Sequence, residues 1–175
     1  MANYKVLVPF ILKFEGGFVN DPHDRGGATN KGVTLATFIQ FRRNHGRPRP
    51  TVEDLKRIST EEWMSIYKQY YWDLAAGDLI HSQAVANLIV DWVWCSGRHA
   101  LKATQRVLGL TQDGVLGPRT ILALNDAEPR ALFDKLKAAR LAFVEAIVRN
   151  NPTQARFING WRRRINAITF NGLSV

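Results

Sequence analysis

The sequence predicts a mainly α-helical fold with one small irregular or hairpin-containing lobe near the N-terminus, and three observations lead there. Apolar residues recur three and four apart along most of the chain, helix-capping residues precede several of those runs, and strand-type alternation is scarce. A length of 175 residues, with 46% hydrophobic and 22% charged, suits one domain or a domain with a small appendage. That composition excludes disorder and low-complexity polymer.

Val6, Leu7, Phe10, Ile11 and Phe14 share one face of a helix from Tyr4 to Phe14, which leaves Glu15 at its C-terminal end. Gly16-Gly17 is expected to end that helix by taking positive φ. Asn20-Asp21-Pro22 and Arg25-Gly26-Gly27 are turn chemistry, so residues 16–33 read as a shaped loop with a short hairpin. Thr34 is placed to cap a helix through Leu35, Phe38, Ile39 and Phe41 that runs out at Asn44-His45-Gly46. After the connector Arg47-Pro48-Arg49-Pro50, Thr51 with Asp54 opens a short helix. Ser59 with Glu62 reads as the fuller capping box, ahead of Trp63, Ile66, Tyr67, Tyr70 and Tyr71.

Ser82 to Ser96 is apolar nearly all round, which predicts a helix through the middle of the core. Four helical patterns follow Gly97: His99 to Leu108, Pro118 to Leu124 with Pro118 at the first helical position, Arg130 to Asn150, and Gln154 to Phe170.

Twenty-four Lys and Arg against 15 Asp and Glu leave a net charge of +9, a field that favours polyanions such as nucleic acid, acidic membrane surfaces or anionic wall polymer. The single cysteine, Cys95, excludes an internal disulfide and reads as a small buried hydrophobe without a catalytic role. His23, His45, His81 and His99 are dispersed, so no metal site is expected. No apolar stretch approaches the roughly 20 residues that cross a bilayer, and stable membrane insertion is not expected. The run Val6 to Leu12 follows a single Lys5, contains Pro9 and leads into Phe14-Glu15-Gly16-Gly17, a poor secretory signal. The expectation is synthesis in the cytoplasm and release by another route.

Chemistry concentrates in residues 14–34, which gather Glu15, Asp21, Asp24, Thr29, Thr34 and five glycines. Glycosidic hydrolysis needs such a set: one carboxyl to protonate the leaving oxygen, and a second group to stabilise the sugar cation or orient water. Glu15 fits the acid, because Phe14 and Phe18 beside it could withhold solvent and desolvation disfavours a charged carboxyl. The plainer reading stands beside it, since a Glu before Gly-Gly also suits a solvated helix end. A Glu15 side chain turned away from any groove, or locked to an arginine out of reach, would exclude the acid role.

The stretch from Phe14 to Thr34 resembles the opening motif of the glycoside hydrolase family 108 muramidases, E-G-G-(Y/F)-x-x-D-P-x-D-x-G-G-x-T-x-x-G-(I/V)-T. Arg25 stands where a Pro is frequent, a departure that concerns loop stiffness. The resemblance implies a lysozyme-like helical fold and makes Glu15 the catalytic acid. It also implies hydrolysis of the β-1,4 bond between N-acetylmuramic acid and N-acetylglucosamine in peptidoglycan, with no cofactor. Phage lysozymes of the wider superfamily space their Glu, Asp and Thr so that Asp24 falls at the Asp position, whereas Asn30 occupies the Thr position and Thr29 lies one residue short. The resemblance therefore makes Asp24 a water-positioning base or electrostatic stabiliser and Thr29 a water ligand, with Asp21 competing for the second carboxylate. Asp21, Asn30 and Tyr71 are the substrate-binding candidates.

Leu108 to Thr120 carries Asp113-Gly114-Val115-Leu116-Gly117-Pro118-Arg119-Thr120, similar to the D-G-x-x-G-P-x-T turn of small peptidoglycan-binding modules, although Asp-Gly and Gly-Pro also have plain architectural uses. Gly160-Trp161-Arg162-Arg163-Arg164 resembles the G-W-x-x-R close of the same muramidases. The implied organisation is a lysozyme-like catalytic region at 1–96 and a helical peptidoglycan-binding region at 97–175, packed as one unit. The implied working form is a monomer acting on peptidoglycan in the periplasm or wall, released by a holin or by another route, and serving a phage, a prophage or the host.

Of the aromatics, Tyr67, Tyr70, Tyr71, Trp72, Trp92 and Trp94 are mostly expected in the core, but Tyr70-Tyr71-Trp72 cannot all point inward, so at least one should line a cleft. Asp91, inside an apolar helix, is expected to cap or pair with a neighbouring segment. The clusters Arg42-Arg43 to Arg49 and Arg162-Arg163-Arg164 read as solvated faces that attract an anionic wall. Two rivals differ in class: a wall-binding protein without turnover, and a nucleic-acid-binding helical domain suggested only by charge. Salt-dependent DNA binding would mark the second, which lacks a recognition-helix pattern.

Overall fold

Helix α1 (Tyr4–Phe14) starts at Asn3, whose side chain accepts from the Lys5 amide, and buries Leu7, Val8, Phe10 and Ile11. The computed structural model describes residues 1–20 and 27–174. Asp21, Asp24 and His23 lie outside the described residues. Strands β1 (Thr29–Asn30) and β2 (Val33–Thr34) form an antiparallel hairpin, extended by a bridge between Val19 and Thr29. Its two turn residues, Lys31 and Gly32, both take positive φ, at 49° and 77°, the pattern of a type I′ turn. Thr34 then caps α2 (Leu35–Asn44) by accepting from the Thr37 amide.

A capping box formed by Thr51 and Asp54 opens α3 (Val52–Lys56). Ser59 caps α4 (Thr60–Tyr67), but Glu62 does not complete a box there; its carboxylate takes Arg42 at 2.9 Å and Arg47 at 3.3 Å instead. The fuller box is thus the one at Thr51. α4 continues into a π-helical turn, Lys68–Trp72. Helix α5 (Gln83–Ser96) has an unbroken buried run from Ala84 to Val93 and packs against α1, α6, α8 and the π-helical turn, the central place expected of it.

Helices α6 (Arg98–Val107), α7 (Pro118–Asp126) and α8 (Pro129–Asn150) follow their predicted patterns closely. Between α6 and α7 the Gln105 side chain folds the Asp-Gly turn around itself. It donates to Asp113 and the Val115 carbonyl and accepts from the Gly114 amide, where φ is +75°. The last predicted helix is divided: a 3₁₀ turn at Pro152–Phe157 precedes α9 (Ile158–Ala167), and the chain then forms an antiparallel hairpin of β3 (Ile168–Thr169) and β4 (Gly172–Leu173). Apolar spacing does not register a two-residue strand, so the closing hairpin leaves no mark in the periodicity. A single core cluster runs from Ala2 to Ile168, with Trp63, Trp72, Trp92 and Tyr67 among its largest fully buried side chains. Among the described residues no helix is long and apolar enough to cross a membrane.

Candidate active site

Glu15 is where α1 stops. The backbone leaves the helix there in extended conformation, with φ −87° and ψ 144°, while the Glu15 amide still donates to the Ile11 carbonyl at 3.1 Å. Gly16 and Gly17 do not take positive φ, contrary to expectation; they are exposed, and an added Cβ on either would meet nothing. Their smallness leaves the surface beside Glu15 open.

Three elements converge on the carboxylate. From α5, the Trp94 indole Nε1 donates to Oε1 at 2.6 Å. From α9, Arg164 Nη1 donates to the same oxygen at 2.8 Å. From the β1–β2 turn, the Gly32 backbone lies close to the other oxygen, so a Cβ there would sit 2.8 Å from Oε2 and inside the Trp94 ring. Oε2 has no hydrogen-bond partner among the described residues. Glu15 does meet an arginine, but it is not shut away: its side chain remains 17% exposed. Its immediate neighbours are an indole and a guanidinium rather than Phe14 and Phe18. Phe14 lies under the Arg164 guanidinium, 5.5 Å from ring centre, and Phe18 lies against Lys56.

Behind Glu15 the ion pair continues inward. Arg164 donates through Nε and Nη2 to Asp91, at 2.8 Å for Nη2, and Arg140 Nη2 reaches the other Asp91 oxygen at 2.7 Å. Asp91 and Arg140 are buried, so Asp91 is paired as anticipated, with two partners. Burial would raise the Asp91 carboxyl, but the Arg140 and Arg164 guanidiniums outweigh it and hold the group below the usual aspartate range. For Arg164, burial works against the charge, and Asp91 and Glu15 more than offset it, so its pKa is raised. Arg164 is therefore a half-buried linchpin and not part of a solvated face; Arg42, bound to Glu62, departs from that expectation in the same way.

Tyr71, on the π-helical turn, is half-buried with its ring 4.4 Å from that of Trp94; burial, then the Glu15 charge, raises its hydroxyl pKa. Of the adjacent trio, Trp72 is the residue that turns fully inward. Thr29 is half-buried on β1, opposite Thr34. Asn30 is buried, and its amide donates to the Leu55 and Lys56 carbonyls at 2.9 and 3.0 Å, so it ties the hairpin to the end of α3. Trp63 Nε1 pins the turn from the other side by donating to the Lys31 carbonyl at 2.9 Å.

Cys95 is not the buried hydrophobe expected. The residue is exposed, although enough protein surrounds the thiol that burial pushes its pKa up to about 11. Trp94 and Arg164 are the site residues that sequence reasoning missed. Trp94 was hidden in an apolar helix, and Arg164 stood in view only as the last letter of G-W-x-x-R.

Residues 8–97 match the family model described as Glycosyl hydrolase 108, and residues 99–166 match the one described as Predicted Peptidoglycan domain. A search of curated proteins returned no match. Among solved structures the chain is similar to Brucella abortus SagA, with 32% sequence identity over 94% of this chain and 90% of that one and a TM-score of 0.76. The matched family model spans Glu15, the hairpin and Trp94, the match to a solved structure runs nearly end to end, and on these grounds the chain belongs to the glycosyl hydrolase 108 family.

Proposed function

We propose that this peptidoglycan hydrolase is an N-acetylmuramidase that cleaves the β-1,4 bond between N-acetylmuramic acid and N-acetylglucosamine, with Glu15 as general acid. The observation that carries the reading is the asymmetry of the Glu15 carboxyl: both donors, Trp94 and Arg164, converge on Oε1, while Oε2 is free among the described residues in a partly exposed side chain. A proton held on Oε2 is the one available to a bridging oxygen. As it leaves, negative charge develops on a carboxylate whose other oxygen already faces two fixed donors, so the conjugate base is stabilised without reorganisation.

Asp24 takes the part of water-positioning base or electrostatic stabiliser, with Asp21 as its competitor, and Thr29 that of water ligand. Tyr71 offers an aromatic edge to the sugar. Asn30 serves the site from behind, as a brace for the hairpin. In this reading residues 1–96 form the catalytic region and 97–175 the wall-binding region, and Arg164 links the two. The enzyme acts on peptidoglycan in the periplasm or wall after release from the cytoplasm.

The test is digestion of purified peptidoglycan. Wild-type protein should yield muropeptides ending in reducing N-acetylmuramic acid, identified by mass spectrometry, and Glu15→Gln should abolish them. A fully active Glu15→Gln enzyme would remove Glu15 from the acid role, and reducing N-acetylglucosamine ends would change the bond assigned.

A further inference from the structure

A hollow of about 430 Å³ lies where the end of α1, the end of α9 and the last residues of the chain come together, with Lys13, Phe14, Arg163, Ala167 and Ser174 as its lining. Phe14 belongs both to it and to the candidate active site. The Phe14 ring lies 5.5 Å from the Arg164 guanidinium, and the next residue along the chain is Glu15, so the hollow adjoins the Glu15–Arg164 ion pair.

Its charge is all of one sign among the described residues: Lys13 and Arg163 line it, both exposed, and no carboxylate does. Neither cation takes part in the chain of Glu15, Arg164 and Asp91. Arg164 is turned inward, and one step along a helix is a turn of about 100° about its axis, which carries Arg163 round toward solvent. The guanidinium offers a planar fork to a carboxylate and the ammonium a mobile point charge beside it, while Phe14 and Ala167 supply apolar wall. An anion on an apolar stem suits that lining, whereas a neutral sugar ring would leave both charges unused.

The geometry points to a subsite for a carboxylate of the peptidoglycan stem peptide, held by Lys13 and Arg163. It rests on the proposed muramidase reading, in which the sugar whose C1–oxygen bond breaks is N-acetylmuramic acid. The peptide leaves that sugar through the 3-O-lactyl group and so issues beside Glu15. Two residues of extended chain reach roughly 7 Å further, on the scale of the 5.5 Å from Arg164 to the Phe14 ring centre. N-acetylglucosamine bears no such peptide, so Lys13 and Arg163 select muramic acid for the position next to the acid.

The experiment is calorimetric titration of Glu15→Gln protein, which leaves the probes uncut. The probe is the tetrasaccharide of alternating N-acetylglucosamine and N-acetylmuramic acid, in three forms. One carries free stem peptides, one has every peptide carboxylate converted to the carboxamide, and one has no peptides, so that bare lactyl groups are its only carboxylates. Adding Lys13→Gln and Arg163→Gln together should weaken binding of the first form about three- to tenfold, the range for two exposed charge pairs, and leave the other two unchanged. Lys5→Gln with Arg57→Gln removes the same charge from exposed positions elsewhere and should leave all three unchanged. Equal weakening of the carboxamide form, equal weakening by the Lys5 and Arg57 pair, or no measurable binding of the first form overturns the inference. Equal weakening of the peptide-free form would give the hollow to the lactyl group and overturn the stem-peptide assignment. Carboxylate-selective binding by a chain whose Glu15 form releases reducing N-acetylglucosamine ends, or none, from peptidoglycan would instead overturn the muramidase reading and leave the subsite standing.

Discussion

Arg164 spends one guanidinium on two carboxylates, Glu15 through Nη1 and Asp91 through Nε and Nη2. Only a planar fork with donors on three nitrogens spans both, so Arg164→Lys keeps the charge and loses the bridge. One lost charge-assisted hydrogen bond corresponds to about 1.5–3 kcal/mol, so kcat should fall about ten- to a hundredfold while KM moves little, read by initial rates on soluble peptidoglycan fragments. An unchanged kcat would mean that Arg164 only braces the fold. Gly32 offers a second test. A methyl group there meets Glu15 Oε2 at 2.8 Å and the Trp94 ring, on a backbone at φ +77°. Gly32→Ala should cost about 1–2 kcal/mol for the left-handed conformation alone and lower kcat at least about tenfold, measured by melting and by rate. At this scale the sequence disclosed Glu15, because a carboxylate between an apolar helix and a glycine pair is conspicuous. It did not disclose Trp94 and Arg164, whose partners lie 79 and 149 residues away.

The β1–β2 hairpin has no core of its own and borrows its rigidity from α3 and α4. Asn30 reaches back to the last carbonyls of α3, and Trp63 of α4 holds the Lys31 carbonyl. Asn30→Ala leaves the Lys56 carbonyl without its donor, while the Leu55 carbonyl keeps the Ile58 amide at 3.2 Å, and a cost of about 1–3 kcal/mol is expected. Because that same turn carries Gly32, activity should fall with stability, and hydrogen exchange in residues 29–34 should speed up while α5 stays protected. Elements of this kind were legible in proportion to their periodicity. α1, α2, α5 and α8 announced themselves, whereas the π-helical turn and the closing hairpin of β3 and β4 are too short for any apolar repeat to register.

Across the whole molecule, the two matched segments meet in the chain Glu15, Arg164, Asp91, Arg140, which alternates sign from the surface to the core. Removing one member of a buried pair costs about 3–5 kcal/mol, so Asp91→Asn should lower the melting temperature by about 6–20 °C. The pH dependence follows from the depressed Asp91 carboxyl. Its contribution is complete above the ordinary aspartate value of about 3.9 and is lost as pH falls through the lower folded value. The melting gap between wild type and Asp91→Asn should therefore stay constant from neutrality to about pH 5 and close in stronger acid. Thermal melts across that range decide it; a gap that closes near neutrality would show that another group sets it.

The order in which the site is assembled has a consequence during synthesis. Glu15 is synthesised before the cation that steadies it, which is encoded 149 positions later. A polypeptide that stops between Arg140 and Arg164 carries Glu15 without its cation and leaves Asp91 to Arg140 alone. The site is therefore complete only in a chain that includes α9, whose last turn carries Arg164.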